Sequence, residues 1–117
     1  MNGLRPISTM KLFTAQALDQ EGTIDSVAVD LREIDQNHIF AISYVGAGAG
    51  TVKVEYLAGP TADGVFTEPT GASDVVAAAT GTANVSFSPI LTPFIKIRLT
   101  ENNVGTITSF DLWLHVQ

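Results

Sequence analysis

The chain has 117 residues with no cysteine, 45% hydrophobic residues, 15% charged residues and a formal net charge of −6 at pH 7. This size and composition are typical of one folded domain, and the lack of cysteine excludes disulfide bonds, thiolate metal ligands and a thiol nucleophile. The six basic residues are dispersed, which argues against nucleic-acid binding, and no apolar run reaches the ~20 residues of a membrane-spanning helix.

The chain begins with an irregular segment, residues 1–9, which we predict to be an arm ahead of a β domain over residues 10–117. The Asn-Gly pair near its start favours flexibility, which suits docking on a neighbouring subunit. No continuous apolar segment follows its one arginine, so we expect no secretory signal. The candidate interaction residues of the arm are Leu4, Arg5, Pro6 and Ile7.

Alternating apolar residues in the first third of the chain predict two strands, over residues 10–18 and 25–31. The stretch "LREI" after them could form one helical turn. The residues predicted to share a face are Lys11, Phe13 and Ala15 in the first strand, and Val27, Val29 and Leu31 in the second.

The middle of the chain predicts two further strands around a small-residue loop. Residues 38–45 form a dense apolar run, which indicates a strand covered on both faces. The "GAGAG" stretch then predicts a flexible hairpin loop, because no helix pattern follows it, as a phosphate-binding loop would require. In the next strand we expect Val52, Val54 and Tyr56 to point inward, and Lys53 and Glu55 to face out.

Turn chemistry separates the remaining strands. Asp63-Gly64 predicts a tight turn with a positive φ at the glycine, and two short strands follow on either side of Gly81. Residues 93–103 form a strand with Ile97 and Leu99 opposite Lys96 and Arg98.

The last strand, residues 106–116, has two different faces. We expect it to be central, with Phe110, Leu112, Leu114 and Val116 in the core. Ile107 and Thr108 are assigned to the outer and inner faces respectively. Trp113 points to the second face, so it lies under a loop, in the partner sheet, in an interface or on a ligand platform, and it is a further candidate interaction residue.

About eight strands at this spacing predict an all-β fold, a single antiparallel β-sandwich resembling a jelly roll. Residues that carry chemistry are scarce. His38 and His115 have no metal-ligand spacing, no serine lies in a G-x-S-x-G elbow, and we expect neither a cofactor nor an enzyme. The densest acidic patch, which we interpret as a solvated edge and not a calcium site, comprises Asp25, Asp30, Glu33 and Asp35.

The second half of the chain resembles small β-sandwich virion proteins of tailed bacteriophages. The resemblance lies in "VEYLAGPTADGVFTEPTG" followed by "FSPILTPFIKIRLTENNVGTITSFDLWLHVQ". It consists of a strand ending in an Asp-Gly turn, a proline-containing link, a strand of the F-I-K-I-R type, an asparagine-rich turn and a final strand ending near Val-Gln.

This resemblance implies a structural role as a head decoration, or cement, protein that contacts the major capsid protein. It implies a location on the virion surface, with host cytoplasm as the site of assembly, and a homotrimer, with a dimer as the next expectation. Two alternatives stay open. One is a tail accessory or fibre-associated domain; the other is a carbohydrate-binding sandwich, whose candidate aromatic residues are Tyr44, Tyr56 and Trp113.

Overall fold

The computed structural model describes residues 7–32, 39–90 and 92–117. These ranges contain β-strands and no helix, so they hold no helix that could cross a membrane. The strands are β1 (Ser8–Phe13), β2 (Thr23–Asp25), β3 (Val29–Asp30), β4 (Phe40–Gly48), β5 (Val52–Gly59), β6 (Val76–Ala79), β7 (Thr82–Phe87), β8 (Phe94–Glu101) and β9 (Ile107–Val116).

The strands form two antiparallel sheets around one core. The four-stranded sheet has the order β1-β9-β4-β7, and the five-stranded sheet has the order β2-β8-β5-β6, with β3 also paired to β8. Counting β2 and β3 as one interrupted strand gives eight strands in the order of a jelly roll. The predicted antiparallel sandwich is confirmed.

The last strand lies between β1 and β4, as its pattern predicted. Leu112 and Leu114 have no exposed surface and belong to the same core cluster as Ile97 and Leu99 of β8 in the other sheet. Burying one such side chain contributes up to about 1.5–3 kcal/mol before the entropy cost of folding. The central position of β9 therefore makes the end of the chain a large contributor to the core.

Two bulges overturn face assignments that assumed strict alternation. In β1, Lys11 pairs with Trp113 and Phe13 with Leu112, so an extra residue lies between them. Lys11 is consequently exposed and Phe13 buried, although they were predicted to share a face. A second bulge skips Thr108 in β9, which turns Ile107 into the core and leaves Thr108 exposed.

Three other local predictions were wrong. The segment between β2 and β3 is not strand, and Val27 there is 73% exposed instead of sharing the buried face of Val29. β4 was predicted to be covered on both faces, but only one of its faces is buried. Asp63 and Gly64 do form a turn, closed from Gly64 N–H to the carbonyl of Thr61, but Gly64 has no positive φ.

A buried carboxylate organises the loops at one end of the sandwich. Glu101 is 2% exposed, and burial alone would raise its pKa. Backbone N–H groups outweigh that effect and lower the pKa from 4.5 to about 2. The donors come from three separate loops: Glu21, Thr51, Asn103, Val104 and Gly105.

Candidate functional site

The outer face of the four-stranded sheet is nearly free of net charge, and we call it the neutral face. Two cross-strand rows form its centre. They are Lys11, Trp113, Ser43 and Asn84 in one row, and Thr9, His115, Ala41 and Ser86 in the next. The face also carries exposed apolar side chains near its margins, which is unusual for a solvated sheet surface.

Trp113 lies at the centre of this face and remains partly exposed. The Lys11 ammonium lies 4.7 Å from the indole ring centroid and 3.2 Å from Asp111, so it makes both a cation–π contact and an ion pair. A backbone hydrogen bond from Ala15, together with Lys11, lowers the pKa of Asp111. The two charges at the centre of the face therefore neutralise each other.

A row of polar side chains crosses the four strands beside Trp113. His115 Nδ1 lies 2.9 Å from Thr9 Oγ1, its Nε2 lies 2.7 Å from Ser43 Oγ, and Ser43 also bonds Asn84. A serine and a histidine at this distance could resemble a nucleophile and its base, but a hydroxyl occupies the position where a triad carboxylate would orient the ring. The row binds neighbouring strands together.

A small apolar notch of about 90 Å³ adjoins this row, where β1 begins and β9 ends. Ile7 and Ile39, which are 61% and 54% exposed, line it together with Val116 and the ring of His115. The structure thus brings two of the predicted interaction residues, Ile7 and Trp113, to one face. The predicted residues Leu4, Arg5 and Pro6 lie outside the described residues.

The opposite outer face, on the five-stranded sheet, is charged. Arg98 makes a two-pronged ion pair with Asp25 at 2.7 and 3.1 Å, which raises the pKa of Arg98. Asp30 bonds Arg32, which lowers the pKa of Asp30 to about 2. Asp25 and Asp30, both members of the predicted acidic patch, are therefore each paired with an arginine. The other two members, Glu33 and Asp35, lie outside the described residues.

A group of three carboxylates on this face was missed by sequence reasoning. Oxygens of Glu55, Glu68 and Asp74 lie within 4.8 Å of one another. Glu55 lies on the outer side of its strand, as predicted, but it is only 7% exposed, because the chain between β5 and β6 folds back over that strand. Lys53 lies 3.5 Å from Glu55, and Arg98 is its cross-strand neighbour, so nearby cations offset this negative charge.

A cleft of about 340 Å³ opens between the end of β7 and the segment before β6. Its walls combine apolar side chains, among them Phe87 and Ile90, with Asp74 and several hydroxyl groups. The Tyr56 hydroxyl accepts a hydrogen bond from the backbone N–H of Ile90 at its floor. Polar and apolar groups therefore converge in one cleft, a composition that small-molecule binding sites share.

No family model matches the chain, and no curated protein sequence matches it.

Proposed function

We propose that the protein is a non-catalytic structural protein of a tailed-bacteriophage virion, and that it decorates the capsid by binding the major capsid protein through its neutral face. Jelly rolls serve in viral capsids, in lectins and in other proteins, so the fold is compatible with this role without selecting it. The observation that carries the proposal is the surface chemistry of the neutral face.

The neutral face has the composition of a protein interface. It places a tryptophan at its centre, exposed Ile7, Ile39 and Val45 toward its margins, and a compensated pair of charges, Lys11 and Asp111, beside the tryptophan. Interfaces are enriched in aromatic residues and depleted of unpaired charge at their centre. Such a face suits tight docking against a protein surface.

The carbohydrate-binding alternative has less support. A sugar platform needs several exposed aromatic rings, and two of the three candidates, Tyr44 and Tyr56, are each only 5% exposed. Tyr44 instead stacks on Phe110 in the core, with ring centroids 5.5 Å apart. Trp113 alone of the three reaches the surface.

Sedimentation with phage heads tests the proposal. Purified protein is mixed with expanded heads assembled without it, with unassembled capsid protein, with isolated tails and with DNA. We expect it to pellet with expanded heads. Trp113→Ala should weaken that binding at least about tenfold, as expected for a residue at the centre of an interface, and Ile39→Ser, nearer the margin, should weaken it by a smaller factor.

Val65→Ser is the matched control, because Val65 is 78% exposed but lies in the loop after β5, away from the neutral face. It should bind as the unsubstituted protein does. Failure to bind any head, or equal head binding by all variants, would contradict the proposal. Binding to tails alone would place the protein in the tail.

A further inference from the structure

Each sheet ends in edge strands, and three of these edges carry features that oppose pairing with another chain. β1 has a bulge and Lys11. The β2/β3 edge is interrupted and carries Asp25 and Asp30. β6 is bulged, and the carbonyl of Ala77 there accepts a hydrogen bond from the Asn102 side chain at 3.0 Å. Bulges, charges and covered backbone groups are the usual protection of sheet edges.

The edge formed by β7 lacks these protections. It pairs regularly with β4 over Thr82–Phe87, without a bulge, proline or charged residue. Gly46 N–H bonds the carbonyl of Gly81, so alternation along the ladder directs the backbone groups of Ala83, Val85 and Phe87 toward β4. The N–H and C=O groups of Thr82, Asn84 and Ser86 consequently point outward, along an edge where no described strand pairs.

Charge distribution makes this edge suited to a second copy of the same chain. No charged residue occurs between Val75 and Ile95, although the whole chain carries a net charge of −6. Two copies therefore meet the least repulsion when they approach through this side. The core-facing row of β7 also remains only half-buried, since none of the described strands lies beyond it to cover Val85 and Phe87.

We propose that two copies pair antiparallel through β7, about a twofold axis at Asn84. The pairing joins Thr82 of each copy to Ser86 of the other, and sets Ala83 beside Val85 across the seam. The result is a sheet continuous through both copies, with their half-buried apolar rows covered. In this arrangement the same edge strand is used by both copies, so no free β7 edge remains for a third copy. The contact therefore forms a dimer and not the trimer that the resemblance implies. It does not depend on the capsid role.

A single cysteine at the proposed axis tests this arrangement, because the chain has none of its own. In Asn84→Cys the two new thiols would belong to residues about 5.5 Å apart between Cα atoms, within disulfide reach. Mild oxidation should convert most of this variant to a covalent dimer. Thr9→Cys, an exposed position on the opposite edge strand of the same sheet, should stay largely monomeric on the same denaturing gel.

Light scattering over a range of micromolar concentrations supplies the second measurement. The unsubstituted protein should show the mass of two chains, and Asn84→Lys, which brings two ammonium groups together at the axis, should show the mass of one. Thr9→Lys should remain dimeric, and circular dichroism would verify that each variant keeps its β structure. A monomeric or trimeric unsubstituted protein, or equal cross-linking at both cysteine positions, would overturn the proposal.

Discussion

The carboxylate of Glu101 ties together three loops that only folding brings close. Its donors at Glu21 and Thr51 are 80 and 50 residues away in sequence. The pKa of about 2 lies below the ordinary value of 4.5, so the folded state binds fewer protons than the unfolded state in that window. Its contribution to stability is therefore complete above about pH 4.5 and is lost as pH falls toward 2.

We predict that Glu101→Gln lowers stability at pH 7 and flattens the fall in stability between about pH 5 and pH 2. The amide presents an NH₂ group to N–H donors that need an acceptor, which leaves buried donors without a partner. Urea denaturation at a series of pH values measures both effects.

Asp30→Asn is the matched control for this prediction. Asp30 has an equally low pKa, but Arg32 is only two residues away, so much of that interaction survives in the unfolded chain. Its removal should change the acid dependence less. An acid dependence unchanged in Glu101→Gln would contradict the role assigned to that carboxylate.

At the scale of the strand, β9 divides into a core face and a surface face. Leu112 has no exposed surface and lies in the middle of the central strand. We predict that Leu112→Ala lowers the free energy of unfolding by about 2–5 kcal/mol, through lost burial and the cavity left behind. Ser109→Ala, on the outer face of the same strand, should change it by less than about 0.5 kcal/mol. Chemical denaturation measures both, and a Leu112→Ala cost within the Ser109→Ala range would contradict the assignment.

Strands were predictable from sequence wherever pairing is regular. In β8, Ile97 and Leu99 are buried between half-exposed Lys96 and Arg98, as period-two alternation requires. The reversed faces in β1 and β9 both occur at bulges, at Leu12 and Thr108, because an extra residue reverses the faces on one side of it without changing the apolar pattern.

The candidate sites were only partly predictable for a different reason. Trp113 was identifiable because a large aromatic residue stands among the polar residues on the outer side of a core strand. The grouping of Glu55 with Glu68 and Asp74 depends on how the segment after β5 folds back, which is a tertiary property with no local signal. Sequence alternation correctly placed Glu55 outward on its strand, but it could not show that a loop covers that position.

At the scale of the whole molecule, the two outer faces differ in charge. The five-stranded sheet carries Arg98, Lys53 and their carboxylate partners, whereas the charges at the centre of the neutral face are the compensated pair Lys11 and Asp111. If the neutral face is the one that docks, few ions are released on binding. Salt dependence therefore reports which face is used, independently of any substitution in the neutral face.

We predict that affinity for phage heads changes less than about threefold between about 50 mM and 200 mM salt, whereas a protein that neutralises several phosphates can lose ~10³ over that range. Sedimentation at several salt concentrations measures the slope. Arg98→Gln and Lys53→Gln, on the charged face, should leave both affinity and slope unchanged, because their side chains would stay in solvent. A steep slope that flattens in these two variants would mean that the charged face docks and would move the attachment site to the other sheet.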